Sequence, residues 1–518
     1  MAPSRLTYAD LALPGEELHR SYEQALAAQR LGAHHPPGAA RGPHRTEHSP
    51  LDGRIAVGHF TEAHPDKVHH AVATARAAQP AWAGRPWTER LEILEAAAER
   101  ISAQVHDLAV LLTLEIGKTR LEAIGEAEEA AEFFRYYSAR WRADGGFERS
   151  MAGASPRERT RSVLRPHGVW AVIAPFNFPL ALIAGPAAAA LAAGNTVVVK
   201  AAEHGYLAAL RLRETVVAAG VPAEALHVLL GDGPTVGAEL VGAGVDGITF
   251  TGSYDVGTEI LRRTAAGPWP RPVVCEMGGK NTAIVTRHAD LDAAAEGIVR
   301  SAFGFGGQKC SSCSRVLVQH TVHDDLVAAV VERAARLRVG DPRARATDYG
   351  PVIDERAAKR FTRAVESAAA AGSVLTGGAR LTGGPYAHGV YLEPTVVAVP
   401  RDEPLWQEEL FLPLVAVSRF DTFEDALAET NATRFGLSAG LFSHDEAETA
   451  AFLDGVHCGV VYVNRPGGAT TGAWPGMQPF GGWKGSGSTG RGGGGEHYTQ
   501  LYVREQSRTL HSLRGDQA

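Results

Sequence analysis

Three hydrophobic patterns follow one another along the chain. From Pro65 the spacing is helical. Apolar residues at Leu91, Leu94, Ala98, Ile101, Val105 and Leu108 recur in steps of three and four, which lays one apolar stripe along a helix. Thr88 is placed to cap its start and Gly117 to stop it. A second helix is predicted from Glu122 to Trp141, with its carboxylates (Glu126, Glu128, Glu129, Glu132) on a solvated face. The pattern then shifts to short apolar runs at Val169–Ile173, Thr196–Val199, Leu226–Leu229, Ile248–Phe250 and Val273–Cys275, separated by helical stretches. The stretch Pro179 to Ala193 is alanine-rich and predicts a buried helix lying close on a sheet. Strands alternating with helices imply right-handed crossovers and a parallel sheet, hence an α/β fold. A second alternating region follows residue 310, with a strand at Val316–Gln319 and helices at Asp324–Leu337 and Asp354–Ala370. The chain ends in a glycine-dense segment, Gly481–Gly495, whose 492–495 run reads as a mobile or tightly turning loop.

Ahead of all this, residues 1–48 read as a lead-in. A helix is expected at Glu16–Leu31, then a Pro/Gly/His-rich loop in which His34, His35 and His44 are solvated rather than metal ligands.

Composition narrows the class. A length of 518 residues predicts two or three domains. The net charge of −7 disfavours nucleic-acid partners. Four cysteines form no disulfide framework and suggest a reducing cytoplasm. Met1–Asp10 lacks a targeting pattern, and the longest apolar stretch is too short and too small-chained to span a bilayer.

Candidate chemistry gathers at the strand ends, where open parallel sheets bind ligands. Cys310 follows glycines and Lys309 and precedes small hydroxyl residues, and a neighbouring cation favours the nucleophilic thiolate. The Cys310–Cys313 spacing also fits a redox dithiol or plain packing; a zinc site lacks its second ligand pair. Glu276, after an apolar strand and before two glycines, is placed as a general base of raised pKa. Asn177, held between aromatic residues and prolines, can donate to an oxyanion together with the Cys310 amide. Gly252, Ser253 and Gly257 open a helix whose free N–H groups suit a pyrophosphate. Lys200 and Glu203 follow the second strand, where a carboxylate can accept from both ribose hydroxyls and so favour NAD over a 2′-phosphorylated cofactor. These parts fit thiolate attack on an aldehyde, hydride transfer to a nicotinamide, and hydrolysis of the resulting thioester.

The segments Pro175-Phe176-Asn177, Phe250-Thr251-Gly252-Ser253, Glu276-Met277-Gly278-Gly279-Lys280, Gly307-Gln308-Lys309-Cys310, Glu408-Glu409-Leu410-Phe411 and Pro479-Phe480-Gly481-Gly482 occur in the order seen in the aldehyde dehydrogenase superfamily, which the chain resembles from about Leu51 onward. That resemblance implies Cys310 as nucleophile, Glu276 as base and Asn177 as oxyanion donor. It also implies Glu409 on the nicotinamide ribose and Phe411, with Phe176, beside the cofactor. The implied fold is a Rossmann-type NAD domain (49–147 and 168–279), an α/β catalytic domain (280–478) and an oligomerisation β-hairpin (148–167 and 497–512), giving a homo-oligomer. Within the superfamily the stretches Ser301–Phe305, Cys313–Arg315, Ala289–Asp292 and Asn464-Arg465 with Thr471-Gly472-Ala473 are similar to the 1-pyrroline-5-carboxylate dehydrogenase family, which oxidises glutamate γ-semialdehyde to glutamate. By that match Ser311, Gly485 and Ser486 line the substrate pocket, and Glu129 and Lys309 pair beside the nucleophile. Departures from the pattern are Ala201, Gly306, Ser312, Leu412 and the tail Gly494-Gly495-Glu496-His497-Tyr498. They leave open another amino-acid semialdehyde, or an aromatic aldehyde, as substrate.

Overall fold

A computed structural model describes residues 15–29, 43–467 and 474–512. His34, His35 and Thr471-Gly472-Ala473 lie outside these residues.

Helix α1 (Glu16–Ala28) packs its buried Tyr22 against the helices that follow, and the Tyr22 hydroxyl donates to Thr113 (2.8 Å). The expected lead-in is therefore part of the core. His44 opens strand β1 (His44–Ser49), which pairs antiparallel with β2 (Asp52–Thr61). After α2 (Pro65–Gly84), the stripe read as one helix divides at Gln104 into α3 (Trp87–Ala103) and α4 (Val105–Ile116). Pro86 takes the N-cap position and Thr88 sits inside the first turn. Gly117 does end α4, in the left-handed conformation (φ 82°) that glycine adopts without strain.

Helix α5 (Arg120–Ala143) overturns the solvated-face reading. It lies among α3, α4 and α6 (Ala181–Ala193), and Glu126, Glu128, Glu129 and Glu132 are all buried. Each of three has a partner that was not apparent from spacing. Glu126 pairs with the fully buried Lys118 (2.5 Å) and accepts from the Leu180 and Ala181 amides (2.8 and 3.3 Å) at the start of α6. Glu128 and Glu132 are held by Arg135 (2.8 and 2.6 Å), and Ser102 donates to Glu128. A carboxylate at a helix start satisfies amides that would otherwise be orphaned. Small side chains let α6 pack closely, and every residue from Ile183 to Ala193 is buried.

The cofactor-type sheet is parallel throughout, in the order β7 (Leu226–Leu229), β6 (Thr196–Lys200), β5 (Val169–Ile173), β8 (Gly247–Thr251), β9 (Val273–Glu276). The chain winds outward from β5 through β6 to β7, with α7 (Tyr206–Ala218) between, then crosses back to β8. The crevice between the ends of β5 and β8 is thus a topological switch point, where such sheets take ligands. Helix α8 (Tyr254–Ala265) begins there, capped by Ser253.

The second sheet has seven strands. Its centre is the parallel pair β10 (Asn281–Val285) and β11 (Cys313–Gln319), joined through α9 (Leu291–Phe303). Helices α10 (His323–Ala335) and α11 (Glu355–Ala371) follow. Outward from β11 lie β14 (Leu414–Phe420), β13 (Thr395–Ala398) and the antiparallel edge β12 (Ser373–Thr376); outward from β10 lie β15 (Ser438–Phe442) and β16 (Val460–Val463). Apart from these sheets, β17 (Val503–His511), β4 (Glu158–Pro166) and β3 (Glu148–Met151) form a three-stranded antiparallel sheet, its outer strands largely exposed. The segments expected as a hairpin thus make three strands. No helix among the described residues is long and apolar enough to cross a membrane.

Candidate active site

Glu276 is the last residue of β9, so the strand register aims it at the rim of the first sheet. Its carboxylate accepts from the Gly482 amide (2.9 Å), and its backbone carbonyl accepts from Gly252 (3.0 Å). Burial pushes its carboxyl up to about 8, against the one backbone hydrogen bond that favours the charged form.

Cys310 lies in the loop that descends into β11. Its backbone carbonyl accepts from the side-chain amide of Asn281 (2.7 Å), the first residue of β10. The same amide holds Ser312 O (2.9 Å), while Asn281 Oδ1 accepts from Ser438 N (3.0 Å). One buried asparagine thereby holds the main chain at the nucleophile's own carbonyl and again two residues further on, a role that spacing did not reveal. The Cys310 thiol is pushed up to about 12, first by burial, then by the Glu409 and Glu276 carboxylates; the Cys310 and Ser311 amides act the other way. The expected cation is not there: Lys309 Nζ turns to Glu122 (2.7 Å), and not to Glu129 as expected. Glu129 stays buried, its carboxyl raised to about 8 by burial and by Glu126. Cys313 offers no redox partner to Cys310. It is buried in the second sheet, its thiol directed at the Arg315 carbonyl (3.4 Å). Among the described residues no group of His, Cys, Asp and Glu could hold a metal ion.

Asn177 follows β5 and donates its side-chain amide to Gln308 O (3.0 Å), two residues before Cys310 in the chain. Gln308 is itself buried and tied to Phe305 O and Ile353 N. Phe176 and Phe411 meet edge to face (5.9 Å), with Phe411 at φ 61°. Glu409 accepts from Gly279 N (3.1 Å), and a Cβ on Gly278 would run into its carboxylate and displace it; burial raises its carboxyl to about 7.

At the β6 end Lys200 is buried, and burial lowers its ammonium pKa. Glu203 sits 3.6 Å from Arg45, a cation from β1 that the sequence reading did not place here. Ser253 caps α8 by accepting from Val256 N (3.4 Å). Gly257 serves packing, since a Cβ there would strike Met277 Sδ at 2.5 Å.

The substrate-pocket expectation fares unevenly. Ser311 lies beside Cys310, buried, its carbonyl facing Ser438 Oγ (3.5 Å). Ser486 is fully buried, with its hydroxyl donating to Gly278 O (2.6 Å) and accepting from Gly436 N (3.0 Å). Gly485 N is bound to Arg434 O (2.8 Å) and Ser486 N to Trp483 O (2.9 Å). These two residues support the turn beneath Glu276 and direct no donor at a carboxylate. The 492–495 glycine run instead packs against the Glu276 clamp. Gly493 and Phe480 exchange both backbone hydrogen bonds (2.9 and 2.8 Å), and a Cβ on Gly481 would lie 2.8 Å from Gly492 Cα.

The sequence pattern of the aldehyde dehydrogenase family matches residues 41–507. The chain belongs to the aldehyde dehydrogenase family. Among curated members of that family it is 36% identical over 472 residues to the 1-pyrroline-5-carboxylate dehydrogenase of Geobacillus kaustophilus, covering 90% of this chain and 89% of that one. A crystal structure of 1-pyrroline-5-carboxylate dehydrogenase from Thermus with bound NAD superposes with a TM-score of 0.91 at 31% identity, covering 96% and 98% of the two chains. Proline utilization A from Bdellovibrio bacteriovorus superposes at 0.90 and 34% identity, with this aldehyde dehydrogenase chain matching 52% of its length. The two-sheet architecture is that of the family.

Proposed function

We propose that this protein is an NAD-dependent aldehyde dehydrogenase that oxidises L-glutamate γ-semialdehyde, in equilibrium with 1-pyrroline-5-carboxylate, to L-glutamate. The observation that carries the chemistry is the Glu276 carboxylate, clamped by Gly482, whose field reaches the buried Cys310 thiol. The substrate rests on the named relatives.

The donor set at the first sheet fits a dinucleotide. The α8 start offers backbone N–H groups beside Gly252 and Ser253 for a pyrophosphate, and Lys200 and Glu203 stand at the end of β6, on the far side of β5, for the adenosine ribose. Glu409 and the Phe176–Phe411 pair stand where a nicotinamide ribose and ring would be held. Bound there, NAD supplies the hydride acceptor that turns the sulfur adduct into a thioester.

The protein's own groups do the rest. As Cys310 Sγ bonds to the aldehyde carbon, its proton passes to solvent water. The oxyanion is met by the Cys310 amide and by the second N–H of the Asn177 amide, whose first is on Gln308. After releasing its proton to solvent, Glu276 takes one from water; hydroxide adds to the thioester carbon, the C–S bond breaks, and the thiolate leaves. The test is a substrate panel on the purified enzyme. NADH formation with 1-pyrroline-5-carboxylate should exceed that with hexanal or benzaldehyde by orders of magnitude, and Cys310→Ser should abolish it while NAD still binds. Equal efficiency on the simple aldehydes removes the substrate assignment; turnover by Cys310→Ser removes the mechanism.

A further inference from the structure

The clamp on Glu276 is itself held from outside the site. Gly482 belongs to a segment that doubles back on the 492–495 run through the Phe480–Gly493 pair. The next residue, Gly494, donates its amide to the hydroxyl of Tyr137 (2.9 Å), and both residues are buried. Tyr137 comes from α5, the helix whose neighbouring turns carry Glu126 and Glu129. Gly494 O also accepts from Gly476 N (2.9 Å), and Tyr136 packs against Gly476, where a Cβ would lie 2.8 Å from its ring. Beyond the glycines the segment is pinned again. Tyr498 stacks on Tyr137 (5.7 Å, 19°) and accepts from the Tyr502 hydroxyl (2.8 Å), which meets Thr249 on β8 (2.9 Å), which in turn accepts from Trp170 on β5 (2.8 Å).

We propose that Tyr137 is a positioning residue for thioester hydrolysis: its phenol oxygen fixes Gly494, and through the Gly493–Phe480 pair fixes the Gly482 amide that orients the Glu276 carboxylate. This rests on the reading of Glu276 as the base in the second half-reaction. A phenol suits the task because it supplies a rigid acceptor at the end of a flat ring that packs. Removal of only the oxygen leaves the stacking on Tyr498 in place and a buried N–H without its acceptor, an effect of about 5–20-fold on a step that depends on that geometry.

The experiment is stopped-flow and steady-state kinetics of Tyr137→Phe with NAD and 1-pyrroline-5-carboxylate. The hydride burst should stay within about twofold of the parent, because attack and hydride transfer do not need the Gly482 clamp, while kcat falls about 5–20-fold. The ascending limb of the kcat–pH profile should move to higher pH, since a weakened N–H donor stabilises the carboxylate less. A folded variant with unchanged kcat and unchanged limb overturns the proposal, as does a burst that falls in step with turnover. Should Tyr137→Phe fail to fold, hydrogen exchange on the parent enzyme decides. Gly493 and Gly494 amides protected like the sheet cores support the strap, and exchange at exposed-loop rates overturns it. Glu276→Gln separates the two layers. If it leaves hydrolysis of the thioester unslowed, the reading of Glu276 fails; if it slows hydrolysis and Tyr137→Phe does not, only the inference fails.

Discussion

Asn281→Leu tests whether the thiol is placed by the asparagine beneath it. The wild-type side chain makes three hydrogen bonds in a buried position: donors to Cys310 O and Ser312 O, and an acceptor for Ser438 N. Leucine is of similar size but leaves all three backbone groups without that partner. Each unpaired buried group costs about 1–3 kcal/mol. The two carbonyls each retain a second lone-pair direction, so the lower part of that range applies to them, and the sum is about 3–5 kcal/mol. Two routes relieve this cost. If the loop stays in place, the loss appears in denaturant unfolding as a lower midpoint at unchanged slope. If the loop shifts to find water, stability is partly recovered and the thiol moves, and a displacement of about 1 Å is worth about a hundredfold in rate. The assays are denaturant unfolding together with kcat/KM and the hydride burst. Asn281→Asp should be worse for activity than Asn281→Leu, because it keeps the acceptor for Ser438 N but sets a carboxylate against two carbonyl oxygens. A variant that loses less than about 1 kcal/mol and less than about threefold in kcat/KM refutes the clamp, since three buried groups cannot be abandoned that cheaply.

Lys118→Met should destabilise the protein by about 3–5 kcal/mol by stranding Glu126, and Lys118→Met with Glu126→Gln should recover most of it in a thermodynamic cycle. Lys309→Met should leave the pH dependence of Cys310 alkylation unchanged, because that ammonium is bound to Glu122; a large shift would return it to the thiol. Where hydrolysis limits turnover, kcat should rise with pH through about 8, the value to which burial raises Glu276, and Glu276→Gln should erase that limb. The same carboxyl, with Glu115 and Glu129 (both about 8), binds protons in the folded state that the unfolded chain has released above its ordinary carboxylate range. Their contribution to stability is therefore complete below about pH 4.5 and is lost as pH rises through about 8, so the unfolding temperature should decline over that interval.

The strands of the first sheet were legible because each is a short, uniformly apolar run, as a strand buried on both faces must be. The positions at their ends follow from the topology: Asn177 comes after β5, Gly252 after β8, and Glu276 ends β9. The errors share one cause, which is a partner distant in sequence. Glu126 and Glu132 look solvated by local charge density, but Lys118, Arg135 and the α6 start surround them. Lys309 adjoins Cys310 in sequence, but a side chain of that length reaches Glu122, 187 residues away. Asn281 gave no signal, since an asparagine after Gly-Gly-Lys is an ordinary turn residue until Ser438 and Ser312 are brought to it. Gly485 and Ser486 have the composition of a ligand loop, and only the neighbouring backbone shows their donors committed elsewhere.

The hydrogen bond between Glu276 and Gly482 spans 206 residues. During synthesis the nucleophile and its acidic neighbour emerge long before the amide that orients the latter. A nascent chain can fold its first sheet, complete at Glu276, and still lack a finished centre until Gly482 is threaded home. Truncation or proteolysis after the second sheet would therefore spare most of the architecture and silence the chemistry.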